Sequence, residues 1–187
     1  MINSASFLEV SLGQDQEIAL GETINLQAST SIPANSLDTI IWQATNGILS
    51  CENCIEQELT PLSNTTYSIQ VIDQNGCVAT SEVNIIVLKE EGLYIPNSFS
   101  PNGDGVNDVF QIFADDGVAE INELQIFDRW GNQVFQKKSF PPNDFTFGWD
   151  GDFRGEAMNP GVFVYWVEVM FLDGRTKLFH GDITLVK

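Results

Sequence analysis

The 187-residue chain carries 26 Asp and Glu against 8 Lys and Arg, a formal net charge of -18. That balance excludes nucleic-acid or anionic-membrane binding by charge, because phosphate neutralisation needs Lys and Arg; it favours solubility and divalent cations. A hydrophobic fraction of 43% with 13 Phe and 4 Trp can fill real cores and excludes a wholly disordered chain. No apolar run approaches the roughly 18 residues of a membrane span, so insertion by such a span is not expected.

The length has room for two β modules of about 100 residues each. The N-terminus lacks the charged and apolar regions of a signal peptide, so the chain reads as an excised piece of something larger, with any export signal upstream. Through the first half, SFLEVSLG, EIALGETINLQAS, DTIIWQATNG, TYSIQVIDQNG and SEVNIIVLK alternate apolar and polar residues. Gly, Asn and Pro punctuate them at intervals of about 8 to 12 residues, the spacing of a β-sandwich. Trp42 in TIIWQA is expected in the core, with Tyr67 and Ile69 facing it from a later strand. Cys51 and Cys54 form a CxxC between strand-like stretches, with no helix to lower a thiolate pKa, so a disulfide is a better reading than redox catalysis. Cys77 makes three, and sequence alone leaves the pairing open. The order of these segments resembles the immunoglobulin-like and PKD-like repeats of bacterial surface proteins, which implies a spacer or adhesive module without an enzymatic role.

A short polar joint, Lys89 to Gly92, places the boundary near residue 91, giving modules 1–91 and 92–187. The second module opens on IPNSFSPNGDGVND, an oxygen-rich loop among prolines and glycines. Asn102, Asp104 and Asp108 put side-chain oxygens at positions 1, 3 and 7, and the Val106 carbonyl can face inward at position 5, a pattern that suggests Ca2+. The sixth position is Asn107 and the twelfth Phe113, so the loop is not an EF-hand. Further oxygens must come from elsewhere, with Asp150 and Asp152 of WDGDF, or Asp115 and Asp116, as candidates. The plainer alternative is an Asx-turn whose carboxylates bond nearby backbone N–H groups. Beyond the loop, strands are expected to form hairpins turning at RWGN and at Asp173–Gly174. VFVYWVEVMF, apolar on both faces, is expected as a central strand. No segment sustains a helical period, so the chain is expected to be all-β, two tandem immunoglobulin-like β-sandwich domains.

The motifs IPNSFSPNGDGVNDVFQI, LQIFDRWGNQVFQ, FGWDGDFRGE, PGVFVYWVEV and the closing GDITLVK together resemble the gliding-motility-associated C-terminal domain. This is the type B sorting domain of cargo for the type IX secretion system. Asp128 departs from the Asn expected before Arg129. The resemblance implies an address that directs a large exported protein across the outer membrane to the cell surface or beyond. Its reader would be the type IX translocon or a dedicated outer-membrane partner protein. Candidate contacts are Arg129 and Trp130 at the hairpin tip, and the last strand: Gly181, Asp182, Ile183, Thr184, Leu185, Val186 and Lys187. An aromatic in a turn either caps its own core, the commoner outcome, or meets a partner. A terminal strand at a sheet edge can add to a partner's sheet.

Two rival classes have sequence features to name. Asp150 and Asp152 with Glu156 are carboxylates available to a glycosidase, but nothing positions them and no nucleophile motif accompanies them, so no enzyme is expected. A calcium-stabilised carbohydrate-binding or adhesive module is the stronger rival. A planar row of exposed tryptophans would favour it, and burial of Trp149 and Trp166 would count against it.

Overall fold

The structure, a computed structural model, describes residues 7–186; Lys187 lies outside the described residues. The chain divides into two compact units, Met1–Glu90 and Glu91–Lys187.

The first unit contains β1 (Val10–Ser11), β2 (Gln16–Ala19), β3 (Ile24–Gln27), β4 (Ser29–Thr30), β5 (Leu37–Ala44), β6 (Glu56–Leu59), β7 (Thr65–Asp73) and β8 (Val78–Leu88). Its main sheet runs β2-β8-β7-β5, with β2 parallel to β8; β3 pairs with β6, and β1 with β4. Period-two alternation explains the layering: in β7, Thr65, Tyr67, Ile69, Val71 and Asp73 are buried while the residues between them are half-exposed. Trp42 is buried beside Ile69, its register partner, and its indole N–H donates to the Cys54 carbonyl at 2.8 Å. Leu26 and Leu59, from β3 and β6, are also buried.

The β5–β6 connection is held by a disulfide and a buried amide. Cys51 is bonded to Cys54, leaving Cys77 free and exposed. Gln57, fully buried, accepts from the Ser50 and Cys51 amides at 2.9 and 3.1 Å and donates to the Cys51 carbonyl. A buried carboxamide so satisfied costs little and fixes the loop.

The second unit contains β9 (Leu93–Tyr94), β10 (Ser98–Phe99), β11 (Phe113–Ala114), β12 (Val118–Phe127), β13 (Gln133–Phe140), β14 (Asp152–Phe153), β15 (Glu156–Ala157), β16 (Gly161–Phe171) and β17 (Thr176–Leu185). The five-stranded sheet runs β10-β17-β16-β12-β13, with short pairs β9–β11 and β14–β15 beside it. Both expected hairpins form, β12–β13 and β16–β17. β16 is central in its sheet, as its apolar run suggests, but only one face is buried. Phe163, Tyr165, Val167, Val169 and Phe171 point into the core, whereas Val162 and Trp166 are exposed on the other side. The inner face carries an aromatic cluster around Trp149, which sits 5.3 Å from Phe99 and 4.9 Å from Phe163 between ring centroids. Both units are immunoglobulin-like sandwiches, and the described chain is all-β apart from two short 3-10 turns, Ala34–Ser36 and Phe145–Phe147.

Candidate functional site

The 102–108 loop closes on its own amides. Asp108 Oδ1 accepts from the Asn102 and Gly103 N–H groups at 2.9 and 2.7 Å, and its Oδ2 accepts from Gly105 at 2.8 Å. Asp104 Oδ1 accepts from Val106 at 2.8 Å, and Asn102 Oδ1 from Asp104 at 3.0 Å. Gly103, Gly105 and Asn107 all take positive φ, which lets successive N–H groups converge on one carboxylate. Amide donation, first from Gly103 and then from Gly105, holds the Asp108 carboxyl below its usual range.

Among the described residues no three His, Cys, Asp or Glu side chains gather as a metal-holding group. Asp150 instead accepts from the Asp152 amide in a turn of its own at 3.0 Å, and Asp115 from the Gly117 amide at 3.0 Å. Asn102 and Asp104 each close an Asx-turn, and Asp108 gathers the amides of the residues before it. A group whose folded pKa is depressed contributes stability above its unfolded pKa, and loses it as pH falls through the folded value. Asp108→Ala is accordingly expected to destabilise the C-terminal unit at pH 7 and to have a shrinking effect as the solution is acidified toward pH 2. Paired acid titrations followed by circular dichroism check this, and a difference between the two proteins that is constant with pH would refute it.

The hairpin tip is built the same way. Asp128 accepts from the Trp130 and Asn132 amides, both at 2.9 Å, and from the Asn132 side chain at 2.8 Å. The carboxylate at this position thus orders the turn. Trp130 does not cap the core: it is 74% exposed, with the Arg129 guanidinium 4.5 Å from its ring centroid.

The last strand needs a larger correction. Ile183 and Leu185 are buried in the core, so their side chains are closed to a partner. Nor is the strand's end a free edge. The run before the 102–108 loop returns as β10, pairing Ser98 and Phe99 in parallel with Thr184 and Leu185. The Val186 amide donates to the Phe99 carbonyl at 3.0 Å. Gly181 lies flat against the Tyr165 ring, where an added Cβ would fall 2.7 Å from the phenolic oxygen. Burial, and then the Asp182 charge, raise the Tyr165 phenol above its usual range. What remains accessible is the exposed Asp182 and Val186, half-buried Thr184, and the stretch of β17 before Gly181, which has no second strand neighbour among the described residues.

Of the tryptophans whose exposure bears on glycan binding, Trp149 is buried, whereas Trp166 is exposed, edge-on to Phe127 at 6.4 Å. Sequence reading missed the β14–β15 hairpin, whose signal was the Arg154–Gly155 pair: both take positive φ in a two-residue turn.

Residues 93–185 match the model of the type IX secretion signal domain (CHU_C), and the C-terminal half of the chain belongs to that family. A chain bearing this signal is exported across the outer membrane to the cell surface or the extracellular space. No curated protein matches the sequence.

Similar solved structures include the following three. The PKD domain from KIAA 1837 protein is 26% identical, with 44% of this chain and 88% of that one covered and a TM-score of 0.38. The mixed-linkage glucan utilization locus protein SGBP-B of Bacteroides ovatus, solved with a heptasaccharide, is 12% identical, with 92% and 43% covered and a TM-score of 0.34. Dimeric latent PorU of Porphyromonas gingivalis is 13% identical, with 93% and 19% covered and a TM-score of 0.33. The chain thus spans less than half the length of the latter two, and likeness at these scores says nothing of function.

Proposed function

We propose that the C-terminal unit is the address that carries a larger parent protein through the type IX system, and that the N-terminal immunoglobulin-like unit is a spacer between address and cargo. The observation that carries this reading is the coincidence of the family match, 93–185, with a unit that is compact by itself from Glu91 onward. A signal read after the periplasm is reached must present a definite surface, and a prefolded sandwich does so without a large ordering cost on binding. The reader is the translocon or an outer-membrane partner. The test is a fluorescent protein carrying an export signal and residues 93–187, expressed in a type IX host. It is expected in the medium or on the surface when the system is intact and in the periplasm when the system is disabled. Periplasmic retention in the intact host, with the fusion folded and repeated with the full chain, would sink the reading.

For the 102–108 loop, Ca2+ is a separate proposal, supported by the oxygen types and their spacing. If calcium pins the loop, excess EDTA lowers the melting temperature of the C-terminal unit and Asp104→Ala abolishes that sensitivity. Identical melting with and without chelator would leave a turn held by hydrogen bonds alone.

A further inference from the structure

The chain contains three Asn-Gly pairs, Asn46–Gly47, Asn75–Gly76 and Asn102–Gly103. Such a pair carries a reaction of its own. With no Cβ in the way, the glycine nitrogen can reach the side-chain carbonyl carbon of the asparagine and close a five-membered ring. All six residues are exposed, and the three glycines take φ of 93°, 84° and 78° in chain order. Access to water and backbone class are therefore common to the three sites, and what differs is the bonding of the glycine nitrogen.

At two sites that nitrogen is engaged. The Gly76 N–H donates to the Asp73 carbonyl at 2.9 Å, and the Asn75 amide and side chain both donate to the Asp73 carboxylate, at 2.8 and 3.3 Å. The Gly103 N–H donates to Asp108 Oδ1 at 2.7 Å, while the Asn102 side chain donates to Asp104 Oδ2 and accepts from the Asp104 amide, both at 3.0 Å. In each turn the attacking nitrogen must first give up an acceptor, and its asparagine is tied in place. A carboxylate beside an N–H also opposes loss of the proton.

Asn46 has neither restraint. The ladder between β5 and β7 closes at Thr45, whose N–H donates to the Thr66 carbonyl at 3.1 Å and whose hydroxyl oxygen accepts from the Thr66 amide at 3.0 Å. Beyond it Asn46, Gly47 and Ile48 are exposed, Ile48 at 90%. The Gly47 N–H has no acceptor among the described residues. The Asn46 side chain makes one long hydrogen bond, donating to the Asn64 carbonyl at 3.4 Å.

We propose that Asn46 is a site of spontaneous deamidation and reacts ahead of the other two Asn-Gly pairs, which their turns protect. Hydroxide takes the Gly47 amide proton, the nitrogen bonds to Asn46 Cγ, and the Cγ–Nδ2 bond breaks, ammonia leaving with a proton from water. Water then opens the ring at either carbonyl to give isoaspartate or aspartate. The net exchange is one water in for one ammonia out. Each event adds a negative charge to a chain already at -18 and sets a carboxylate in place of the amide that donates to the Asn64 carbonyl. Isoaspartate also lengthens the main chain by one methylene just beyond the Thr45 ladder bonds.

Incubation of the full chain at pH 8 and 37 °C, followed by peptide mapping and mass spectrometry, tests this. The Asn46 peptide is expected to gain about 1 Da at least tenfold faster than those of Asn75 and Asn102, as a mixture of isoaspartate and aspartate. Tenfold is about what one net hydrogen bond is worth. At pH 7 the Asn46 rate should fall about tenfold, because the attacking nitrogen is the deprotonated one. The chain unfolded in guanidinium chloride serves as the reference, and the tenfold spread among the three sites is expected to vanish there. Three results would overturn the proposal: Asn46 inert in the folded chain while it reacts in the unfolded one, Asn75 or Asn102 reacting as fast as Asn46, or the same tenfold ranking with the chain unfolded. The last would assign the rates to neighbouring residues and not to the fold.

Discussion

Trp149→Ala is expected to unfold the C-terminal unit at temperatures where the N-terminal unit is intact. Trp149 is fully buried, and its indole N–H donates to the Asp152 carbonyl at 2.9 Å. Its backbone bridges Phe110 in both directions, N–H to carbonyl, at 2.8 and 3.0 Å. Truncating a buried Trp to Ala costs about 3–5 kcal/mol. At about 4–8 °C per kcal/mol for a domain of this size, the unit's melting transition should fall by more than about 10 °C. Trp149→Phe keeps a ring between Phe99 and Phe163 while losing the N–H donor, and should fall between the two. Calorimetry of the full chain reads this directly, since the N-terminal transition serves as an internal standard. A shift under about 3 °C for the alanine variant would mean that the cluster is not the unit's keystone.

The residues that make this prediction possible differ in how plainly they could be read from sequence. Trp42, the alternation of β7, the hairpins at RWGN and Asp173–Gly174, and the centrality of β16 follow from local patterns, because period and turn chemistry act over a few residues. β6 is a different case. Its four residues, EQEL, sit in a polar run, and the buried Gln57 owes its place to Ser50 and Cys51, which no hydropathy pattern encodes. The same holds for the site. The 102–108 loop is visible as a motif, but whether its oxygens meet amides or a cation depends on backbone angles that spelling does not fix. Trp130 could not be placed, because exposure depends on where the turn ends relative to the sheet. β14–β15 went unseen because strands of two residues carry almost no period, and its Arg154 is a residue the turn would not ordinarily choose.

Removal of residues 183–187 is expected to abolish both folding of the C-terminal unit and export, and the pairing of those losses matters for any account of the address. The deletion removes Ile183 and Leu185, both buried, and with Leu185 goes part of the parallel ladder to β10. Each buried aliphatic is worth about 2–5 kcal/mol. Together they rival the roughly 5–15 kcal/mol by which a domain is stable. Lost export after such a truncation therefore cannot by itself locate the recognised surface at the chain's end. Val186 separates the two effects: it is 45% exposed, and the hydrogen bond its N–H donates to the Phe99 carbonyl is made by backbone. Val186→Asp should hold the melting temperature within about 2 °C, as surface substitutions generally do. If the strand's outward side chains are read, it should still lower export of the reporter. Normal export of Val186→Asp, alongside failure of the truncation, would assign the end of β17 to the fold and leave recognition to other surfaces.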